Sequence, residues 1–194
     1  MTLLEALAVI TGAICVWLLV KQNIWTWPTG IVSCFLFVFV FKQSKLYGDM
    51  ALQFFFIAIS LYGWWNWLHG GKGDSELKVT HTSWRAGAVL AIATAAFTYL
   101  IATQLHKHTD STTPIPDALT TALSVTAQYM QTRKLIETWH VWIAADVIYI
   151  GLYIYKHLYL TSLLYAVFMA MCIAGLLEWR ASYAKGQQTE TVTA

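Results

Sequence analysis

The segment from Glu137 to Tyr159, "ETWHVWIAADVIYIGLYIYKHLY", is almost entirely apolar, aromatic or small, yet it holds a carboxylate, Asp146, near its centre. Its apolar portion approaches the roughly 20 residues that a helix needs to cross a bilayer. A carboxylate in the middle of such a helix costs about 2.5–3.5 kcal/mol on insertion scales, so it should face a bundle interior or a water-filled cavity. The segment therefore predicts a membrane-spanning helix with a functional acid.

The composition of the whole chain agrees with this interpretation. Of its 194 residues, 58% are hydrophobic and only 11% are charged, which is typical of an integral membrane protein. We interpret each of seven apolar runs as one transmembrane helix, and because the fifth run is the shortest and most polar, a six-span alternative stays open. The runs are Leu3–Val20, Trp25–Phe41, Met50–Leu68, Trp84–Leu105, Ala118–Met130, Trp139–Tyr155 and Tyr159–Leu177.

The basic residues between the spans predict the orientation. The segments after spans 1, 3, 5 and 7 hold eight of the 12 lysines and arginines, and those after spans 2, 4 and 6 hold the other four, which are Lys42, Lys45, Lys107 and Lys156. Because cytoplasmic loops carry the excess of basic residues, we expect the N-terminus outside and the C-terminus in the cytoplasm, with residues 181–194 as a cytoplasmic tail.

The chain also resembles itself. A shift of 112 residues superimposes Lys21 on Arg133, Trp27 on Trp139, Phe56 on Phe168, Gly63 on Gly175 and Trp67 on Trp179. This predicts two three-helix repeats, residues 1–68 and 117–180, and a linker region, residues 69–116, whose own helix makes the two repeats parallel. Such a 3+1+3 arrangement is typical of transporters, with the substrate site near the midplane where the repeats meet.

Helical spacing predicts the residues of that site. Polar or aromatic side chains recur at steps of three and four along the fifth and sixth spans, and so share one face of each helix. We predict a substrate site built from these faces, with three further candidates in the third span. The candidates are Ser124, Gln128, Trp139, Trp142, Asp146 and Tyr149, and then Gln53, Trp64 and Trp67.

The first repeat lacks most of these polar groups. The residues that the shift pairs with Ser124, Gln128, Trp142 and Asp146 are Gly12, Val16, Gly30 and Cys34. If the polar groups only helped helices to pack, both copies should need them, so we expect the second repeat to carry most of the recognition. By contrast, we expect Trp25, Trp27 and Trp179, at the ends of their spans, to belong to an interfacial aromatic belt.

Several kinds of chemistry have no support in the sequence. The chain has no H-E-x-x-H motif, nucleophile elbow or complete phosphate-binding loop, so we predict no enzyme, metal site or cofactor. The three cysteines lie in apolar runs and are expected to pack, and no basic stripe indicates nucleic acid. A membrane enzyme or an assembly subunit remains as the rival from another class.

Three motifs of the chain are Trp27-Pro28-x-Gly30, Leu61-Tyr62-Gly63-Trp64, and Glu137-x-Trp139-x-x-Trp142-x-x-x-Asp146 followed by Lys156-x-Leu158-Tyr159. They resemble the PnuC family of bacterial vitamin transporters, and the resemblance covers nearly the whole chain. It implies a SWEET-like 3+1+3 fold, a homotrimer in the inner membrane, and facilitated diffusion of nicotinamide riboside with trapping by a cytoplasmic kinase; thiamine is the alternative substrate. Some relatives carry Asn in place of Asp146.

Both candidate vitamins carry a fixed positive charge. Aromatic faces attract a desolvated cation by up to about 2 kcal/mol, and Asp146 would supply the counter-ion. Gln128 and Ser124 would hold ribose hydroxyls or an aminopyrimidine edge.

Overall fold

The apolar runs form seven helices in the part of the chain that the computed structural model describes, residues 3–43, 47–108 and 113–192. This confirms the predicted number of helices. Lys45, which was counted for the orientation, lies outside the described residues. The helices are α1 (Leu3–Val20), α2 (Thr26–Gln43), α3 (Tyr47–His69), α4 (Trp84–His108), α5 (Pro114–Thr132), α6 (Thr138–Tyr155) and α7 (Tyr159–Val192).

Helices α5 and α7 extend furthest beyond the apolar runs that predicted them. Helix α5 begins at Pro114 rather than Ala118, because proline has the backbone angle of a first helical turn and needs no hydrogen-bond partner there. Helix α7 continues from Leu177 to Val192 through a polar stretch rich in alanine, glutamine and other good helix formers. An apolar run marks only the part of a helix that lies in the membrane, so hydropathy does not detect these polar helical ends.

Length and hydropathy alone mark three membrane spans among the described residues. They are Thr26–Gln43, Trp84–His108 and Thr161–Gln188, and a shorter apolar helical stretch covers Ala6–Val20. Helices α3, α5 and α6 carry the polar residues of a cavity described below, which lowers their mean hydropathy.

The helices pack as two groups of three. In the first half, α2 packs against both α1 and α3, and in the second half, α6 packs against both α5 and α7. The halves meet where α1 contacts α7 and where α3 contacts α5. Helix α4 packs against α5 alone among the described helices.

The offset of 112 residues recurs in the coordinates. Helices α2 and α6 have the same length, and their ends differ by that number. Gln22 and Lys134, in the turns that precede these helices, both have a positive φ, 54° and 50°. Thr26 then donates a hydrogen bond to the carbonyl of Cys15 at 2.9 Å, and Thr138 donates to the carbonyl of Ala127 at 2.8 Å. The same turn is therefore built twice.

Four buried tryptophans form the core at one end of the bundle. Trp27 and Trp67 pack edge to face with ring centroids 5.3 Å apart, and Trp139 and Trp179 repeat this geometry at 5.3 Å. All four are at most 2% exposed. The expectation of an interfacial belt is therefore wrong for Trp27 and Trp179, although Trp25 is 63% exposed. A position at the end of an apolar run does not distinguish a belt residue from one at the end of a core.

The tryptophan cluster also joins the halves. The indole of Trp67 donates to the carbonyl of Gln131 at 3.0 Å, and the indole of Trp179 donates to the carbonyl of Leu19 at 3.1 Å. Each half thus supplies one donor and one acceptor to the other. The same two carbonyls, in the last turns of α5 and α1, also accept from the backbone of Lys134 at 3.0 Å and of Gln22 at 2.9 Å. Each indole bond therefore uses the second lone pair of a carbonyl and satisfies an indole N–H that would otherwise be costly to bury.

The segment between α3 and α4 is fastened to the turn between α5 and α6. Glu137 accepts hydrogen bonds from the backbone and hydroxyl of Thr82 at 2.8 and 2.7 Å, and its other oxygen lies 2.7 Å from the His81 ring. Lys134 donates to the carbonyl of Leu77 at 2.9 Å and lies 4.4 Å from the centroid of Trp67. Burial lowers the pKa of Lys134.

Candidate substrate-binding site

A cavity of about 540 Å³ lies between the two halves. Its described wall comes from α1, α2 and α3 on one side and from α5, α6 and α7 on the other. Sites for small ligands commonly have volumes of roughly 300–1,000 Å³. The cavity thus has the size and position of a small-molecule site.

Both helix faces that the sequence singled out line this cavity. The sixth-span face contributes Trp139, Trp142, Asp146, Tyr149 and Tyr153, and the fifth-span face contributes Thr121, Ser124, Gln128 and Gln131. Gln53 of α3 also lines it.

Trp64 and Trp67 are not among the described lining residues. The indole of Trp67 is hydrogen-bonded to Gln131 across the contact between the halves, and Trp64 packs against the same buried tryptophan cluster. We therefore leave both out of the proposed site.

Asp146 is the central group of the cavity wall. It is 4% exposed, and its Oδ2 accepts a long hydrogen bond of 3.5 Å from the thiol of Cys172. Within the described residues, no basic side chain forms an ion pair with it, and the described lining contains no Lys, Arg or His. A buried carboxylate without a countercharge is costly, so this arrangement favours a ligand that brings a positive charge.

The polar groups of α5 are arranged as hydrogen-bonding partners. The Gln128 side-chain amide donates to the hydroxyl of Ser60 at 3.2 Å, across the contact between α5 and α3. The Ser124 hydroxyl donates its proton to the carbonyl of Thr120 at 2.8 Å, so toward a ligand it can act only as an acceptor. This wall can accept hydrogen bonds from ligand hydroxyl or amino groups.

Three tyrosine rings form an aromatic group in the second-half wall. Tyr165 of α7 lies with its ring centroid 4.5 Å from that of Tyr149 and 5.2 Å from that of Tyr153. Phe168 packs edge to face on Tyr165 at 5.9 Å. All four residues line the cavity, so they place aromatic surface in the same wall as Asp146.

Among the lining residues that sequence analysis did not predict are Ser60, Tyr165, Phe168 and Cys172. A signal existed in α7, because Tyr165, Phe168 and Cys172 follow one another at steps of three and four and so share a helical face. Ser60 gave no comparable signal, since a lone serine in an apolar run marks many packing contacts as well.

Comparison with known proteins identifies the family. The sequence profile of the nicotinamide mononucleotide transporter family matches residues 2–181. The nicotinamide riboside transporter PnuC of Escherichia coli (strain K12) is 26% identical over 201 residues, which cover 91% of this chain and 84% of the relative. The riboflavin/roseoflavin transporter RibM of Streptomyces davaonensis is 27% identical over 173 residues, 88% of this chain and 81% of the relative.

A solved structure shares the fold. The crystal structure of the vitamin B3 transporter PnuC matches 94% of this chain and 82% of its own chain, with a TM-score of 0.72 and 24% identity. These relatives are transporters rather than enzymes. The chain therefore belongs to the nicotinamide mononucleotide transporter family, the PnuC-type multi-pass membrane transporters.

Proposed function

We propose that this protein carries a vitamin with a fixed positive charge across the membrane, and that the vitamin is nicotinamide riboside. The observation that carries the proposal is Asp146, a buried carboxylate without a countercharge in the described wall of a cavity between two helical halves. The names of the relatives from Escherichia coli and other bacteria support the same substrate.

The site matches the two ends of such a molecule. The pyridinium ring would lie against the tyrosine group, because an aromatic face attracts a desolvated cation, and Asp146 would serve as its counter-ion. The ribose hydroxyls would donate to Ser124 and Gln128. Trp142, which also lines the cavity, would add aromatic surface, whereas the ring of Trp139 is fully buried in the tryptophan core.

The same site disfavours the phosphorylated form after which the family is named. A phosphate monoester carries about two negative charges at neutral pH and is usually held by arginine, lysine or a helix N-terminus. The described lining offers no basic side chain, and Asp146 would repel the phosphate. Phosphorylation by a cytoplasmic kinase would therefore trap the vitamin inside.

Thiamine is the second candidate, because its thiazolium ring carries the same fixed charge that Asp146 would balance. Riboflavin, the vitamin named for RibM, has an uncharged ring system and gains nothing from an unpaired carboxylate. We therefore expect the positively charged vitamins, nicotinamide riboside and thiamine, to bind more tightly than uncharged riboflavin.

The architecture that we propose is the SWEET-like 3+1+3 arrangement, with residues 1–68 and 117–180 as parallel repeats. The paired helix bounds, the repeated turns and the reciprocal tryptophan bonds support it. We further propose an inner-membrane homotrimer with the N-terminus outside and the C-terminus in the cytoplasm. Helix α4, which has no buried residue, leaves its surface for lipid or a neighbouring protomer.

Facilitated diffusion is sufficient to accumulate such a substrate. One positive charge gains about 2.3 kcal/mol per 100 mV on moving to a negative interior, which corresponds to roughly fifty-fold accumulation. Asp146 would then act as a counter-ion and not as a proton carrier.

Transport into proteoliposomes tests the proposal. We expect uptake of labelled nicotinamide riboside that rises with an imposed inside-negative potential and is unaffected by a pH gradient at clamped potential. Unlabelled thiamine should compete better than riboflavin, and nicotinamide mononucleotide should not compete. Preference for the mononucleotide, or uptake driven by the pH gradient alone, would overturn the proposed substrate or the proposed mechanism, respectively.

A further inference from the structure

Ser60 in α3 and Cys172 in α7 lie 112 residues apart, at equivalent positions of the two halves. Both line the cavity, and they are 4% and 5% exposed. Each forms a hydrogen bond with a polar group of the second half: Ser60 with Gln128 at 3.2 Å, and Cys172 with Asp146 at 3.5 Å. The third helix of each half thus contacts one of the two groups proposed to recognise the substrate.

We propose that Ser60 and Cys172 are positioning residues that orient Gln128 and Asp146 toward the substrate. The inference rests on the proposed function, since it assigns roles in the same site. It also gives the first half a part in recognition, because Ser60 belongs to α3 and reaches across the contact between the halves.

Ser60 anchors the side-chain amide of Gln128. A glutamine side chain carries a donating NH₂ group and an accepting oxygen on a freely rotating bond. The NH₂ group donates to Ser60 at 3.2 Å, and this bond anchors the amide with its oxygen as the group left to accept. The oxygen of Gln128 therefore remains the acceptor for a hydroxyl of the substrate.

Cys172 holds the carboxylate of Asp146 without using up its charge. A thiol is a weak donor, and this bond is long, 3.5 Å. A lysine or arginine at this position would orient the carboxylate equally well but would neutralise it. A thiol fixes the side chain and leaves nearly the whole negative charge for a cation.

The test measures the affinity of purified variants for nicotinamide riboside and for neutral riboflavin. We expect Ser60→Ala and Cys172→Ala each to weaken nicotinamide riboside binding by about three- to tenfold, as for loss of one neutral or weak hydrogen bond. Cys172→Ser restores a donor and should stay within about twofold of the wild type. Cys172→Ala should weaken nicotinamide riboside binding by a larger factor than riboflavin binding, whereas a general loss of packing would weaken both by the same factor.

Double variants separate orientation from packing. If Cys172 acts through Asp146, then Cys172→Ala should have little further effect once Asp146→Asn is present, and the same should hold for Ser60→Ala on Gln128→Ala. Additive losses would overturn the inference. Cys34→Ala is the matched control, because it removes a thiol from the first-half wall; a loss equal to that of Cys172→Ala would also contradict the assigned role.

A measurement without substrate keeps this inference distinct from the proposed function. In a Cys15→Ser, Cys34→Ser background, alkylation of Cys172 by a small thiol reagent should be faster with Asp146→Asn, because the thiol no longer lies beside a carboxylate. An unchanged rate overturns the role of Cys172 whether or not any vitamin binds. If the rate changes but the wild type binds no cationic vitamin, the proposed function fails, and the inference that depends on it fails with it.

Discussion

The two halves share their packing residues but differ in their polar ones. Trp27 and Trp139 lie at equivalent positions of the two halves, and so do the glycines under their rings, Gly63 and Gly175. By contrast, Asp146 lies where the first half has Cys34. The packing residues are therefore present in both copies, whereas the carboxylate proposed to recognise the substrate is present in only one, and a comparison of equivalent positions separates the two roles.

The aromatic residues show how small such a difference can be. Phe37 and Phe41 of α2 stack with centroids 5.6 Å apart and an interplanar angle of 20°, and Tyr149 and Tyr153 of α6 stack at 5.9 Å and 13°. The rings occupy equivalent positions in nearly the same geometry, so the second half adds only hydroxyl groups. Both halves thus hold a stacked aromatic pair at these positions, and only the pair in the second half is polar.

The largest effect that we expect tests the shared scaffold. In Gly63→Ala and Gly175→Ala, the new methyl group would overlap the ring of Trp27 or Trp139, so each variant should lose about 1–3 kcal/mol of stability or more. Thermal unfolding in detergent measures this loss. Gly151→Ala is the control, because nothing lies within 4 Å of its added methyl group. A strong loss in only one half would break the equivalence of the halves.

The next prediction concerns the difference between the halves. Asp146→Asn keeps the size of the side chain but removes the counter-ion, so affinity for nicotinamide riboside should fall about tenfold to a hundredfold, as for loss of a charged partner. Cys34→Ser changes the equivalent position and should shift affinity by less than about twofold. Isothermal titration of both variants decides the matter, and equal losses would show that recognition is shared.

The sequence predicted the helices and much of the cavity wall, because both depend on periodicity within one helix; the role of these residues in binding stays a prediction. The steps of three and four in α5 and α6 placed Ser124, Gln128 and Asp146 in one cavity wall correctly. The sequence could not predict Ser60, because its contact with Gln128 arises from the packing of α3 on α5. Nor could it place Trp67, since a buried indole bonded across the halves has the same local pattern as one that lines a cavity.

A smaller effect should come from the bonds that join the halves. Trp67→Phe and Trp179→Phe keep an aromatic ring but remove the donors to the carbonyls of Gln131 and Leu19, so each should cost about 1 kcal/mol. Trp65→Phe, at a position 59% exposed, should cost less. Thermal unfolding compares the three. If Trp67→Phe and Trp179→Phe differ by more than the exposed control costs, the reciprocal bonds are not equivalent.

The smallest effect concerns Glu137, whose equivalent in the first half is the exposed Trp25. Burial alone would raise the pKa of Glu137, but the hydrogen bonds from His81 and Thr82 outweigh it and leave that pKa below the ordinary value of 4.5. The folded state thus favours the ionised carboxylate. Its contribution to stability is present above pH 4.5 and is lost as the pH falls through the lower folded-state pKa.

Because Glu137 is partly exposed, this contribution should be under about 1 kcal/mol. Glu137→Gln removes the ionisable group, so the wild type should be the more stable at pH 7, and the difference should shrink as the pH falls below 4.5. Unfolding temperatures of both proteins from pH 7 down to the lowest pH that the detergent permits would show this convergence. If the difference in unfolding temperature between the two proteins stays constant with pH, the turn before α6 depends on the shape of the Glu137 side chain. The charge of Glu137 would then not distinguish the two halves.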